Sequence, residues 1–466
     1  MNILVLVKII AGELNPFDAS ALEYALRMGG DVTVLSMCPP AAERALLPLT
    51  RLGAARVILL SDPVYAGSDT LATARILSAA VRKLQPNLVC CGRQSIDGDT
   101  AQVGPEIAAL CGMPVRTGVM QAQPDGENIR YATRTASGTL PLPAVLTFEK
   151  GLPLRFPSIR SRIGTVERWS NADLHVDPAQ CGWAGSPTRV LQTYENTQGR
   201  RKCQKITYDQ LPEILRRART ALTGAEPLLP AEHPLDRVMA VGSAVLPHAR
   251  ALGRQVLAVP ESDPAALAAQ IRAADPDAVL WDASVWGRCA APQTAALLGV
   301  GLCADCTRLE TDGTRLYMIR PAKGGNIMAR IESHSRPQMA TVRTAAAQSE
   351  WMVSAGKGIA AQVQALQAQV QTLGGDFGAS RGLVDDGGAP YEAQVGLTGR
   401  AVAPVIYVAI GISGAVHHTC AIENAGTVVA INPDPDARIF DYADYGIAAP
   451  YDEAAFFAAL RAAFGD

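Results

Sequence analysis

The amino-acid sequence predicts an α/β protein made of doubly wound parallel sheets. Strand-length apolar runs alternate with helical segments along most of the chain, which is the pattern of repeated βα units. Some runs, such as residues 2–7 and 87–91, are apolar throughout, as strands covered on both faces of a sheet require. Glycine-containing loops follow several runs and predict ligand sites beyond the carboxyl ends of the strands.

Length and composition limit the classes of function. The 466 residues suffice for about two to four domains. Charged residues make up 18% and the formal net charge is −2, so there is no basic block that would bind nucleic acid. Residues 1–8 lack the basic region of a signal peptide, and no window holds about 18 uninterrupted apolar residues, so we expect no membrane span.

The ten cysteines predict no metal site. The one CxxC motif runs from Cys303 to Cys306, and no second pair completes a zinc or iron–sulfur site. An extended stretch follows the motif, whereas a thioredoxin-type dithiol would open a helix. We therefore expect reduced, unligated cysteines in a cytoplasmic protein.

The N-terminal part predicts a βαβαβαβ domain with right-handed crossovers. Asp18 or Ser20 is expected to cap its first helix, and Ser68 or Asp69 its third. The predicted strands are 2–7, 31–36, 56–60 and 87–91, and the predicted helices are 19–28, a segment ending at 52, 69–84 and 101–110.

The loop at residues 92–105 is the first candidate ligand site. Gly98 permits a tight turn, and Thr100 is positioned to cap the next helix, whose free N–H groups suit a phosphate. Asp97 and Asp99 would repel phosphate, so they either bind ribose hydroxyls or cap the helix. The alternative is a capped surface loop without a ligand.

A divergent repeat predicts a second α/β domain. Residues 85–112 form a strand, a loop and a helix ending at glycine, and residues 275–299 repeat this order. The second copy has Ser284–Arg288 in place of the Asp-Gly-Asp loop. Residues 170–235 are richer in polar residues, glycine and proline and predict an arm and linker with one helix near 208–222.

The stretch from Tyr407 to His418 predicts a second ligand edge in the C-terminal part. It reads as a strand, a turn on Gly411 and Gly414, and a helix start, and another strand follows at 427–432. Successive strand ends carry Lys357, Ser380-Arg381, Ser413–His418 and Asn432, a set that suits a dinucleotide. No GxGxxG motif is present, so a nicotinamide fingerprint is not supported. An ordinary βα turn is the alternative for the 407–418 stretch alone.

These motifs resemble electron transfer flavoproteins over nearly the whole chain outside the linker. Residues 351–466 resemble the FAD-binding domain of the alpha subunit, residues 236–350 its first domain, and residues 1–170 the beta subunit, with 171–235 between them. The resemblance therefore implies a beta–alpha fusion with two related adenine-nucleotide-alpha-hydrolase-like domains and a Rossmann-like FAD domain. It rests on Gly378-Ala379-Ser380-Arg381, Gln394-Val395-Gly396-x-Thr398-Gly399, Gly411-Ile412-Ser413-Gly414-Ala415, Arg320-Pro321-Ala322-x-Gly324-Gly325-Asn326, Arg336-Pro337-Gln338-Met339-x-Thr341-Val342-Arg343 and the 92–105 loop.

The family implies roles for residues around FAD. Arg381 would stabilise the negative charge of the reduced flavin, Ser413 would approach the N5 edge, and His418 would face the N1 and C2-carbonyl edge. A cation or donor near N1 raises the reduction potential. The full implied FAD set is Lys357, Ser380, Arg381, Gln394, Val395, Gly396, Leu397, Thr398, Ser413, Gly414, Ala415, Val416, His417, His418 and Asn432.

A second nucleotide, AMP or FAD, is implied in the N-terminal domain. Its loop is more like that of members that hold a second FAD, oxidise NADH and split the two electrons between acceptors. A family hairpin is missing between Lys8 and Asn15, which leaves NADH use open. The implied residues are Asn15, Pro16, Phe17, Asp18, Met37, Asp97, Gly98, Asp99, Thr100, Ala101, Gln102, Val103 and Gly104.

Some positions depart from the family pattern. Leu397 stands where glutamine is usual, His417 where glutamine is common, and Pro450 where aspartate is usual. The expected function is an electron carrier between an acyl-CoA or other flavin dehydrogenase and a downstream, quinone-linked acceptor, monomeric because both subunits are fused. The alternatives are a bifurcating NADH-oxidising enzyme with two FADs, and a non-redox adenine-nucleotide binder that has lost flavin.

Overall fold

The computed structural model describes residues 1–196, 200–220, 228–344 and 350–465. The chain divides into two units. The first comprises Met1–Thr193, Pro230–Lys323 and Ala329–Val342, and the second comprises Tyr194–Leu229, Gly324–Met328 and Arg343–Asp466. The predicted boundaries near 170, 235 and 350 stay a prediction. The predicted helix near 208–222 begins with a 3₁₀ turn and continues as Leu211–Thr220, and its last two positions lie outside the described residues.

A nine-stranded sheet forms the core of the N-terminal part of the first unit. Seven neighbouring strands are parallel, and the last two extend the sheet as antiparallel strands. The five inner parallel strands are largely buried, as strands covered by helices on both faces are, whereas the outer parallel strands Glu167–Trp169 and Val115–Asp125 are largely not. In spatial order the strands are Glu167–Trp169, Arg56–Leu60, Asp31–Met37, Asn2–Leu6, Leu88–Gly92, Ala144–Phe148, Val115–Asp125, Asn128–Thr133 and Ser137–Pro141.

The helices of this part begin and end close to the predicted positions, with two corrections to helices and one to a loop. The first begins at Pro16 rather than at 19, because proline suits the first helical position. The segment predicted as a helix ending at 52 is a short α turn between two 3₁₀ turns. The interval between Lys8 and Asn15 contains a minimal hairpin, Ile9–Ile10 with Glu13–Leu14. The helices are Pro16–Met28, Glu43–Leu46, Thr70–Leu84, Val103–Cys111, Asn171–Leu174 and Gly182–Gly185.

The predicted repeat is present as a second, five-stranded parallel sheet in the same unit. In both sheets a polar side chain just before the central strand accepts from the backbone N–H of the neighbouring strand: Asn87 from Asn2, and Asp277 from Arg237. The strands in spatial order are Gly253–Val259, Leu235–Val241, Ala278–Asp282, Gln338–Val342 and Leu302–Cys306, with helices Leu246–Leu252, Pro264–Ala274 and Val285–Leu298.

A four-stranded sheet accompanies the second copy of the repeat. Its strands in spatial order are Thr188–Glu195, Ile327–Ser333, Leu316–Ala322 and Arg308–Thr311, and the last two are antiparallel. The CxxC motif ends the strand Leu302–Cys306 and is followed by the strand Arg308–Thr311, so the stretch after the motif is extended, as predicted. Both cysteines are buried and unbridged.

The second unit is organised around a six-stranded parallel sheet. Its apolar core includes Trp351, Phe377 and Phe456. The arm contributes the edge strand Gln204–Lys205 and the helix Leu211–Thr220, which packs on the C-terminal helix. In spatial order the strands are Gln204–Lys205, Tyr445–Ile447, Thr427–Ile431, Ile406–Ile410, Trp351–Ala355 and Asp376–Ala379, and the remaining helices are Val363–Thr372, Arg381–Asp385, Val416–Thr419 and Glu453–Phe464.

Over the described ranges, no helix combines the length and the apolar character needed to cross a membrane.

Candidate functional site

The strand order of the second unit defines where a ligand would bind. From Trp351–Ala355 the chain moves to Asp376–Ala379 on one side, and then crosses to Ile406–Ile410 on the other side. The order of successive strands reverses there, and ligands of open α/β sheets bind at the carboxyl ends of the strands flanking such a switch point. The residues after these strand ends therefore form the candidate flavin edge.

Glycines allow the loops at this edge to pack closely. A Cβ atom added to Gly356 would lie 2.0 Å from the carbonyl oxygen of Gly411, and one added to Gly414 would lie 2.0 Å from the backbone nitrogen of Ile439. Gly411 and Gly414 also have positive φ angles of 62° and 85°. Both glycines of the predicted turn are therefore required by the backbone.

Two cations of the predicted set lie at this edge in ion pairs. Lys357 Nζ is 2.8 Å from Asp386 Oδ2, and Arg381 Nε is 3.2 Å from Asp385 Oδ2. Ser380 caps the short helix that begins at Arg381, and its side chain accepts from the backbone N–H of Leu383. These carboxylates partly neutralise a site that would otherwise attract a phosphate.

The 413–417 segment presents alternate residues to solvent. Ser413, Ala415 and His417 are exposed, whereas Gly414 and Val416 are buried. The segment is not a strand, since Gly414 has a positive φ and a helix begins at Val416, but its exposed positions include the Ser413 hydroxyl and the His417 imidazole. The edge therefore combines donors, a small residue and cations, as a flavin nucleotide requires.

The predicted cofactor loop at residues 394–398 lies mostly inside the protein. Gln394 is buried, its Nε2 donates to Thr398 Oγ1 at 2.7 Å, and its Oε1 has no partner in the described structure. Val395 is buried, and Leu397 donates its N–H to the carbonyl of His417. Gly396 has φ 150°, and a Cβ there would lie 2.6 Å from that same carbonyl. The loop is thus fixed against the 413–417 segment.

His418 lies inside the protein rather than on the open edge. It is 4% exposed, its Nδ1 is 3.1 Å from the carbonyl oxygen of Val395, and its Nε2 is 2.8 Å from the phenolic oxygen of Tyr407. A carbonyl only accepts, so Nδ1 carries the proton and Nε2 accepts from the tyrosine. Burial lowers the pKa of His418 to about 4, so the ring is neutral at physiological pH.

Asn432 has a comparable inner position. Its Nδ2 donates to the carbonyl of Ile412 at 2.9 Å, and its Oδ1 accepts from the N–H of Asp434. It therefore ties the end of one strand to the loop that follows the neighbouring strand.

A second candidate site lies in the first unit, at the switch point of the nine-stranded sheet. A cavity of about 360 Å³ opens where Asn2–Leu6 and Leu88–Gly92 end. Most of the predicted second-nucleotide residues line it: Asn15, Asp18, Met37, Gly98, Thr100, Ala101, Gln102, Val103 and Gly104. Pro16, Phe17, Asp97 and Asp99 are not among the described residues that line it.

Two buried polar residues mark the inner end of this cavity. Asn15 donates to the carbonyl of Gln94, while its Oδ1 has no partner in the described structure. The predicted capping of the first helix by Asp18 or Ser20 is wrong, because the N-cap is Asn15 and no side chain caps the helix. Asp18 instead accepts from the backbone N–H groups of Lys8 and Gly92. Burial raises the pKa of Asp18 to about 6, against these hydrogen bonds. The orphaned oxygen and the carboxylate suit the hydroxyl or amino groups of a nucleoside.

The loop before helix Val103–Cys111 differs from the prediction in two respects. Gln102, not Thr100, occupies the N-cap position, and no side chain caps the helix. Gly98 has no positive φ, whereas Asp99 and Ala101 have φ angles of 53° and 56°. Gly104 serves close packing, since a Cβ there would lie 2.5 Å from Thr147. The helix N-terminus thus keeps N–H groups available for a phosphate.

The sequence interpretation missed part of the cavity wall. Lys8 and the segment Ser68–Thr70 line the cavity, and Asp69 caps helix Thr70–Leu84. Both follow strands of the same sheet, so strand-end position was the signal that could have identified them. Lys8 forms a 2.7 Å ion pair with Asp97, which explains how that carboxylate is tolerated beside a phosphate site.

The structure is an α/β protein in which two parallel sheets each have a candidate ligand edge at a switch point. A family model described as "Electron transfer flavoprotein domain" matches residues 3–174 and 231–373, and one described as "Electron transfer flavoprotein FAD-binding domain" matches residues 346–423. The chain belongs to the electron transfer flavoprotein family.

Curated relatives of both subunit types are similar to this chain. An electron transfer flavoprotein subunit beta from Clostridium acetobutylicum is 40% identical over 193 residues, which cover 39% of this chain and 74% of the relative. A subunit alpha from Thermoanaerobacterium thermosaccharolyticum is 37% identical over 219 residues, covering 37% and 66%. Protein FixB of Rhizobium meliloti is 35% identical over 247 residues, covering 43% and 69%. Similarity to both subunits is consistent with a beta–alpha fusion, as the sequence indicated.

Proposed function

We propose that the chain is a single-chain electron carrier whose FAD binds at the carboxyl edge of the six-stranded sheet. The proposal rests on the switch point between Trp351–Ala355 and Ile406–Ile410. The cations, the hydroxyl and the close-packed glycines described above lie in the loops that follow these strand ends. The matching FAD-binding family model supports the same region. FAD supplies reversible acceptance of electrons, and the protein binds, orients and electrostatically tunes it.

The phosphates are assigned to Lys357, Ser380 and the glycine turns. Each cation already has a carboxylate partner, so an incoming diphosphate competes with Asp385 or Asp386 for the charge. Arg381, at the start of its helix, is assigned to the negative charge that accumulates on the ring upon reduction. Ser413 and His417 are assigned to the polar rim of the ring, because they are the exposed polar groups of the 413–417 segment.

His418 is assigned an indirect role. Its two ring nitrogens are occupied by Val395 and Tyr407, so in this arrangement it orients the 394–398 loop from behind. Direct donation to the flavin, which the family resemblance implies, requires that one of these bonds be exchanged.

The cavity of the first unit is proposed to hold AMP. Its volume of about 360 Å³ is at the lower end of small-molecule sites, which favours a mononucleotide over a whole FAD. The second candidate function, NADH oxidation with two FADs, is favoured by the form of the Asp97–Gly104 loop.

Partner docking is assigned to an exposed loop of the first unit. Phe156 is 94% exposed and Ile159 is fully exposed, with Arg160 and Arg162 beside them. The loop is anchored at its base, because Arg155 donates to buried Glu23 through side chain and backbone. An apolar tip with basic neighbours, on a loop anchored at its base, suits a redox protein that has an apolar pocket rimmed by carboxylates.

Electron transfer tests the proposal. The FAD-loaded chain is mixed with a substrate-reduced acyl-CoA dehydrogenase, or separately with NADH, and visible flavin absorbance is followed. Bleaching by the dehydrogenase alone supports the carrier. Bleaching by NADH in a chain that holds two FADs supports the bifurcating alternative. A chain that binds adenine nucleotide but no flavin would support the non-redox alternative and overturn both.

A further inference from the structure

A buried arginine of the second α/β repeat contacts the nucleotide loop of the first. Arg320 lies on strand Leu316–Ala322 and is 4% exposed. Its Nη1 donates to the carbonyl oxygen of Gly98 at 2.8 Å, and its Nη2 donates to that of Asp99 at 3.0 Å. One guanidinium therefore binds two successive peptide groups of the loop that borders the cavity.

The Arg320 side chain is positively charged, and it has no carboxylate partner among the described residues. A guanidinium remains protonated in proteins, and burying a charge away from water is costly unless it is compensated. Here the compensation consists of two carbonyl dipoles, while Nε has no partner in the described structure. The positive charge therefore stays available to stabilise an anion nearby.

The loop that Arg320 contacts has an unusual backbone. Asp99 and Ala101 both occupy the left-handed region, with φ angles of 53° and 56°, although neither is glycine. Such conformations persist only where the surroundings enforce them. Three other contacts act with Arg320: Asp99 N–H donates to the Ser95 carbonyl, Gln94 donates to the Asp99 carboxylate, and Gln102 donates to the Leu302 carbonyl.

The contact determines where the loop directs its N–H groups. In a planar trans peptide the C=O and the following N–H point in opposite directions. The Asp99 carbonyl points at Arg320, so the Thr100 N–H points away from it, and Thr100 lines the cavity. The left-handed residues on either side of Thr100 favour a concave arrangement of N–H groups, which binds anions.

We propose that Arg320 is a positioning residue for the phosphate of the nucleotide bound in this cavity. It fixes the 98–101 backbone so that N–H groups face the phosphate, and its buried charge makes the cavity favourable for an anion. The second repeat, which itself lacks the Asp-Gly-Asp loop, thus completes the ligand site of the first. This inference rests on the proposed second nucleotide site and adds the group that prepares it.

The test compares AMP with adenosine in the full chain. Nucleotide-stripped parent, Arg320→Lys and Arg320→Met proteins are titrated calorimetrically with each ligand, and C-terminal flavin content reports folding. Loss of the two hydrogen bonds from Arg320 to the loop should weaken AMP binding about 10- to 100-fold, while the affinity for adenosine should change less than about 3-fold. Arg330→Lys is the matched control, since Arg330 stacks on Tyr317 at 3.9 Å in the same sheet and is not in contact with the loop.

A loss of affinity for AMP but not for adenosine, larger in Arg320→Met than in Arg320→Lys, supports the proposal. Equal weakening of AMP and adenosine would overturn it, because general damage to the cavity does not discriminate the phosphate. Unchanged AMP binding in both variants would also overturn it. If the parent binds neither ligand, the proposed nucleotide site itself is wrong, and the role of Arg320 falls with it.

Discussion

The Nε2 atom of His418 lies 2.8 Å from the phenolic oxygen of Tyr407, and both side chains are buried. The tyrosine is on the central strand Ile406–Ile410, and the histidine is on the helix after the glycine turn. Through His418 Nδ1 the same ring reaches the Val395 carbonyl, so one imidazole joins the strand to the 394–398 loop.

Replacing Tyr407 with phenylalanine removes the only O–H donor of this pair and leaves Nε2 buried. We expect the free energy of unfolding to fall by about 1–3 kcal/mol, as measured by urea denaturation. Tyr317→Phe is the control, because its hydroxyl bonds Asp312 at an exposed position and should matter by less than about 0.5 kcal/mol. Equal losses in both variants would contradict the buried pairing.

Stability should fall as the pH is lowered from about 6.5 to about 4. The unfolded chain protonates His418 near its ordinary pKa of 6.5, whereas burial holds the folded pKa at about 4. The unfolded state therefore binds more protons in this window, and up to about 3 kcal/mol is lost on acidification.

His418→Asn should flatten this part of the pH profile, while His175→Asn, at an exposed position, should follow the parent. If the pH profile of His418→Asn is as steep as that of the parent, a group other than His418 causes the loss of stability in acid.

Glu106→Gln should stabilise the chain at neutral and mildly alkaline pH. Burial, aided by the charge of Asp69, raises the pKa of Glu106 to about 8, and Oε2 has no partner in the described structure. Between about pH 4.5 and 8 the folded state holds a proton that the unfolded state has released, so stability declines as pH rises.

The variant should gain about 1–4 kcal/mol at pH 8 and little below pH 4.5, measured by denaturation across pH. Glu127→Gln, on an exposed turn, should give no such gain. A loss at pH 8 would show that the carboxylate is ionised and satisfied in the folded chain.

Phe156→Ser together with Ile159→Ser should slow electron transfer to or from a partner at least about 10-fold, because these side chains are the exposed tip of the loop that we propose as the docking surface. Flavin content should remain unchanged. Val285→Ser, which also removes an exposed apolar side chain of the first unit, should transfer electrons at the parent rate. Stopped-flow bleaching of the chain's own flavin by a substrate-reduced dehydrogenase measures the rate for the parent and both variants, and an unaffected double variant would exclude the loop as the docking surface.

Much of the fold could be predicted from the sequence because the buried parallel strands are apolar throughout. The strands around residues 2–7, 87–91 and 427–432 lie within one residue of their predicted ends. The repeat was visible for the same reason, and Asn87 and Asp277 support it at equivalent positions.

Other features depend on contacts that the local pattern does not encode. The positive φ angles fall on Asp99 and Ala101 rather than on Gly98, because distant residues such as Arg320 hold the loop. Adjacent histidines on a short helix point about 100° apart, so periodicity alone did not tell which of His417 and His418 is buried. Lys8 and Ser68–Thr70 were not recognised as cavity residues, although both follow predicted strands and strand-end position could have identified them.

The most direct measurement is the count of FAD and AMP released per chain from freshly purified, full-length protein. The proposal predicts one FAD, lost in a variant that combines Lys357→Ala and Ser380→Ala, and one AMP that this variant retains. A colourless protein that takes up no FAD on reconstitution, while remaining folded, would contradict the central claim that this chain carries electrons through a bound flavin.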